Sequence, residues 1–114
     1  MIIGEHYNKS LYNCAHAVAS YYERELNITI PVVNEFESSF MRWMAKHFTK
    51  IDRPEEHCLV YMTNSDNTTH IGVYANYGVY HNYRYGQGYG AVIHSELSYI
   101  LSSHKRVSYY KWSK

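Results

Sequence analysis

Leu11, Cys14, Ala15, Val18, Ala19, Tyr22 and Leu26 recur every three or four positions, while Glu23, Arg24 and Glu25 fall mostly off that stripe. This is the period of an α-helix with one apolar face. Ser10 or Asn13 can cap its start, and "NITIP", three β-branched residues running into Pro31, ends it near Asn27. A second stripe follows in Phe36, Phe40, Trp43, Met44 and Phe48, with Asn34 as a cap and Glu37 three residues on. It reads as a core-facing helix whose solvated side carries Arg42, Lys46 and Lys50. After "KIDRPEE" the pattern changes to short apolar runs between turn residues, which predicts strands over Cys58–Met62, Thr69–Tyr74, Val79–Tyr83, Ala91–His94 and Val107–Trp112. "TNSDNTT" is a loop by composition, and "SELSYILSS" fits a short helix before the last strand. Helices first and a meander of strands afterwards predict an α+β domain, with N-terminal helices packed on an antiparallel sheet.

At 114 residues the chain is read as one domain, 1–114. Its formal net charge is +1 and its basic residues are scattered, which argues against duplex nucleic acid as a partner. Single strands are disfavoured too, because the tyrosine-rich run "YANYGVYHNYRYGQGYG" carries Arg84 as its one cation and so lacks a charged groove. The 14 tyrosines instead suit a polar, stackable surface for sugars or peptides. No apolar run approaches the roughly 20 residues of a membrane span, and "MIIGEHYNKS" lacks the basic-then-apolar order of a secretory leader, so synthesis in the cytoplasm without a signal peptide is expected. Cys14 and Cys58 lie in differently patterned segments and are read as unpaired.

Taken alone, Cys14 reads as a small buried residue, because free cysteine is among the most buried residue types. A cysteine opening a helix, however, sits at the positive end of the helix dipole beside unpaired N–H groups, and both favour a thiolate. Such a nucleophile needs an imidazole and a polar group to orient it. "HIGVY" supplies His70, and "GVYHNY" supplies His81 and Asn82 on what would be the adjacent antiparallel strand. His81 and Asn82 point to opposite faces, so only one can meet His70. A two-residue turn at Asn76 and Tyr77 pairs Gly72 with His81 and favours His81; a three-residue loop ending at Gly78 would favour Asn82. Cys58, on an apolar strand, is read as structural, and His94 in "AVIHSE" as bordering the cleft. His16, two residues beyond Cys14, points elsewhere on the helix, so no metal pair is expected. "GYG" and "GQG" lack the strand-turn-helix setting of a phosphate cradle and are read as turns.

"YNCAHAVASYYERELNI" followed by a proline resembles the nucleophile helix of the NlpC/P60 family of papain-like cysteine peptidases, especially its short phage-type members. "RPEEHCLVYMTNSDNTTHIGVYANYGVYH" is similar to that family's next block, and "RVSYYKW" to the closing strand of phage-type members. Where the family usually has a Gly-Asp pair before the strand, this chain has His57 and Cys58. The resemblance implies a papain-like NlpC/P60 fold with Cys14 as nucleophile, His70 as general base and acid, and His81 as the residue that fixes the His70 ring. It implies an oxyanion site at the backbone N–H of Cys14, helped by the hydroxyl of Tyr12 or Tyr7, with Asn82 as a further substrate-side residue. Hydrolysis of an amide in peptidoglycan stem peptides follows from it, with no metal or organic cofactor. A phage tail or lysis setting, contact with phage structural proteins and delivery to the cell wall complete that expectation. Two other readings are a non-catalytic binding or anti-defence module on the same fold, and a peptidase that acts on protein during phage assembly.

Overall fold

The computed structural model describes residues 14–30, 44–86 and 89–113, without the side chains of residues 14–17, 82–86 and 89–90. Helix α1 (Cys14–Leu26) leads the described chain. Strands β1 (Phe48–Ile51), β2 (Leu59–Thr63), β3 (Thr69–Ala75), β4 (Gly78–Gly86) and β5 (Tyr89–Glu96) follow, then a short helix α2 (Leu97–Ser103) and strand β6 (Arg106–Trp112). All the strands join one six-stranded antiparallel sheet in the order β1-β6-β2-β3-β4-β5. The expected α+β character is thus present as helices on an antiparallel sheet.

Alternation along the strands sorts side chains onto two faces, each with its own core. On one face Leu59, Ile71, Val73, Ala75 and Val92 pack with Val18, Tyr21 and Tyr22 of α1, together with Ile30, Met44 and Phe48. On the other, Val60, Met62 and Val79 pack under Ile100 of α2. The sheet is therefore a two-sided middle layer, with α1 on one side and α2 on the other.

α1 ends where Asn27 adopts a left-handed conformation (φ 55), which asparagine tolerates better than most residues. The N–H of Ile28 then closes on the carbonyl of Tyr22 at 3.1 Å, and Leu26 and Ile28 turn back onto the core. The caps proposed at Ser10 and Asn13 lie outside the described residues, as do Asn34, Phe36, Glu37, Phe40, Arg42 and Trp43. Residues 44–47 are helical, but the second helical stripe does not run on through Phe48. Phe48 opens β1, paired with Trp112, and its ring meets the Trp112 ring edge-on at 5.5 Å. Lys50 accordingly stands on a strand, opposite Tyr110, rather than on a helix. Pairing with the end of the chain overrides a local periodicity that would have continued the helix.

A clasp ties α1 to the start of β2. Tyr21 Oη lies 2.6 Å from His57 Nδ1, and the Tyr22 hydroxyl donates to the His57 carbonyl. Burial holds both phenols well above their ordinary pKa, so they remain hydrogen-bond donors. His57 is left-handed at φ 71, a conformation that costs a residue with a side chain about 1–2 kcal/mol and that glycine adopts freely. Its N–H continues the ladder to the Tyr74 carbonyl at 2.6 Å.

Candidate active site

β3 and β4 form a hairpin closed by Asn76 (φ 55) and Tyr77 (φ 63). Positive φ at both positions is the type I′ geometry whose twist matches a two-residue hairpin. This turn pairs Gly72 with His81, as the two-residue reading requires. His81 therefore shares a face with His70, two residues before Gly72, while Asn82 is on the alternate position of β4. Gly72 lets the strands pack closely there: a Cβ on it would stand 2.6 Å from the Tyr80 carbonyl oxygen and 3.0 Å from the His81 Cβ.

The two rings meet edge-on, with His70 Nε2 3.1 Å from His81 Nδ1. His81 Nε2 in turn lies 2.9 Å from Ser95 Oγ on β5. The register explains the second contact, because Ser95 pairs with Val79, two residues before His81 and on the same face. The result is a chain of three side chains from three neighbouring strands, His70 to His81 to Ser95. His81 is the one buried polar residue of the core among the described residues, and His70 is half-buried.

Burial, with smaller contributions from His104 and His94, lowers the His81 pKa from 6.5 to about 4. At neutral pH the ring is therefore uncharged, with one N–H and one lone pair. The hydrogen bonds can run in either of two directions. If His81 gives its Nε2 proton to Ser95, its Nδ1 accepts from His70 Nε2–H, and the lone pair of a neutral His70 sits on Nδ1. A charged His70, protonated on both nitrogens, is compatible with this direction alone.

Cys14 is the first described residue of α1; the residues before it and its own side chain lie outside the described residues. So do Tyr7, Tyr12 and the side chains of His16 and Asn82. α1 packs on the face of β3 that carries Ile71, Val73 and Ala75, whereas His70 and His81 occupy the opposite face with Val60, Met62 and Val79. His94 does not border the histidine pair. It pairs with Tyr80 across the strands, meets that ring at a tilt with centroids 4.4 Å apart and bonds the Ala75 carbonyl at 2.9 Å, on the α1 side of the sheet. Cys58 is a free, buried thiol whose pKa burial pushes up to about 11. It is thus inert packing, as its apolar setting indicated.

Ser95 carries no signal of its own in the sequence, where it reads as the start of the helix "SELSYILSS"; the structure instead keeps Ser95 and Glu96 on β5 and begins α2 at Leu97. Only the β4–β5 register brings it to His81. Among the described residues no three His, Cys, Asp or Glu side chains converge to hold a metal ion, and no helix is long and apolar enough to cross a membrane. Comparison with protein-family models, curated proteins and solved structures finds no match to this chain.

Proposed function

We propose that this protein is a cysteine-dependent amide hydrolase of papain-like, NlpC/P60 type, acting on the stem peptides of peptidoglycan in a phage tail or lysis setting. The observation that carries the reading is the hydrogen-bonded chain from His70 through a neutral His81 to Ser95. It is what a general base needs behind it: a buried acceptor that holds the ring and tolerates its positive charge. His70 Nδ1 takes the proton of Cys14, and the thiolate attacks the substrate carbonyl carbon. Backbone N–H groups at the start of α1 receive the oxyanion, with Tyr12 or Tyr7 as the added donor. His70 then protonates the leaving amine, and a water deprotonated by His70 hydrolyses the thioester and restores the free thiol. The substrate class comes from the family resemblance.

The reading sets a geometric condition. α1 and His70 approach β3 from opposite faces, so the Cys14 thiol must meet the imidazole round the rim of the sheet, where β3 begins. That same placement favours a second reading, a binding module in which the histidine face holds a ligand without acyl chemistry.

Two measurements on the intact protein separate them. Purified peptidoglycan should release soluble peptide with the wild type and not with Cys14→Ala or His70→Ala, each shown to be folded. Iodoacetamide at mildly acidic pH should label Cys14 faster than a free cysteine, leaving Cys58 untouched, and His70→Ala should abolish the excess rate. Equal release by wild type and Cys14→Ala, or labelling no faster than free cysteine, overturns the hydrolase reading in favour of the binding module.

A further inference from the structure

We infer that Ser95 is a positioning residue that sets the proton arrangement of the His70–His81 pair, and thereby which nitrogen of His70 is basic. Its importance for turnover, and its role as acceptor rather than donor toward His81, rest on the hydrolase reading, which needs a His70 able to carry both protons; the contact itself rests on geometry.

Three observations support it. Ser95 Oγ is 2.9 Å from His81 Nε2, within ordinary hydrogen-bond distance. His81 is 4% exposed, so a ring N–H without a protein partner there has little recourse to water. The second ring nitrogen of His81 is committed to His70 at 3.1 Å, so a proton denied to one end of His81 must go to the other.

Two arrangements compete. With Ser95 accepting, the His81 proton rests on Nε2, His81 Nδ1 accepts from His70 Nε2–H, and His70 keeps its lone pair on Nδ1. Without the hydroxyl, an Nε2 proton on His81 would be buried and unsatisfied, which favours moving it to Nδ1. His81 would then donate to His70 Nε2, and the His70 proton would shift to Nδ1. No atom need move far: one proton relocates on each ring, exchanged through solvent, and the basic nitrogen of His70 turns from Nδ1 to Nε2. Ser95 thus acts on His70 through His81 without touching a substrate.

The experiment is long-range ¹H–¹⁵N spectroscopy of the imidazoles at neutral pH in wild type, Ser95→Ala and Ser95→Thr, with backbone amide spectra checking that the sheet persists. In the wild type both His70 and His81 should carry their proton on Nε2. Ser95→Ala should transfer most of the population of both rings to Nδ1–H, and Ser95→Thr, which keeps a hydroxyl on a β-branched residue suited to a strand, should restore the wild-type pattern. Where turnover is measurable, Ser95→Ala should lower kcat on the order of tenfold with KM little changed, and Ser95→Thr should recover most of it. Unaltered ring tautomers in Ser95→Ala, or a wild-type His81 protonated on Nδ1, would overturn the inference. A Ser95-dependent tautomer in a protein that shows no Cys14-dependent turnover would support it while removing the hydrolase reading.

Discussion

Burying an imidazole leaves a mark on stability that a surface histidine does not. His81 is held neutral in the fold down to about pH 4, whereas in the unfolded chain it titrates near its ordinary 6.5. Between those values the unfolded chain binds the extra proton, so stability rises with pH across the window. The contribution is fully present above about pH 6.5 and is lost as the pH falls toward 4, amounting to roughly 3 kcal/mol. Urea unfolding at pH 7 and pH 4.5 should show this loss in the wild type. His81→Asn, which cannot titrate, should be less stable at pH 7 and lose visibly less on acidification. An unchanged slope in that variant would mean that His81 is not the group responsible. His70 and His104 lie toward the same face and His94 across the sheet; His104 and His94 are left in place by the substitution, so the difference between the two proteins reads His81 together with its bonded partner His70.

Among the elements, the β3–β4 hairpin is where local chemistry and register meet. Asn76 suits the first left-handed position of the turn, but Tyr77 occupies the second while 90% exposed and so pays the steric cost with little packing in return. Tyr77→Gly should therefore stabilise the protein by roughly 0.5–1 kcal/mol in thermal or urea unfolding, with the Gly72–His81 pairing retained. A loss of stability would show that the Tyr77 ring makes a contact that its exposure does not suggest. This hairpin was also the most legible part of the site, because alternation along two strands leaves two pairings, His81 after a two-residue turn or Asn82 after a three-residue loop, and the structure has the first, which the sequence reading favoured. Expected strand limits fell within three residues of those observed throughout β2 to β6, since alternation and turn residues mark them locally. β1 was not legible: Phe48 continues a helical spacing from Met44, and only Trp112, 64 residues away, makes it a strand. Ser95 and the position of His94 were hidden for the same reason. Both depend on the β4–β5 register, which "GQG" and its flanking residues do not specify.

Across the whole molecule the sheet divides the labour, with α1 and the larger core on one face and the histidine chain and α2 on the other. The clasp from Tyr21 and Tyr22 to His57 sits beside the Tyr74 end of β3, since His57 bonds the Tyr74 carbonyl. That is about 13 Å along the strand from His70 at 3.3 Å per residue, and Cys14 lies about 12 Å back along α1 from Tyr22 at 1.5 Å per residue. Under the hydrolase reading, thiol and imidazole meet when α1 runs along β3 from its His70 end toward its Ala75 end, and the clasp is then the far anchor of α1. Tyr22→Phe deletes the hydroxyl that donates to the His57 carbonyl and should cost about 1 kcal/mol, while its ring still fills the core beside Phe48 and Trp112. Under the hydrolase reading, the double variant Tyr21→Phe/Tyr22→Phe should also slow alkylation of Cys14 at mildly acidic pH, because the helix start is no longer held at the rim. Its His70 and His81 ring signals should stay at their wild-type positions, since the clasp lies on the other face. Slower alkylation with unmoved histidine signals would tie the nucleophile's reactivity to an anchor on the far side of the sheet. An unchanged rate would mean that the first turn of α1 is held without the clasp.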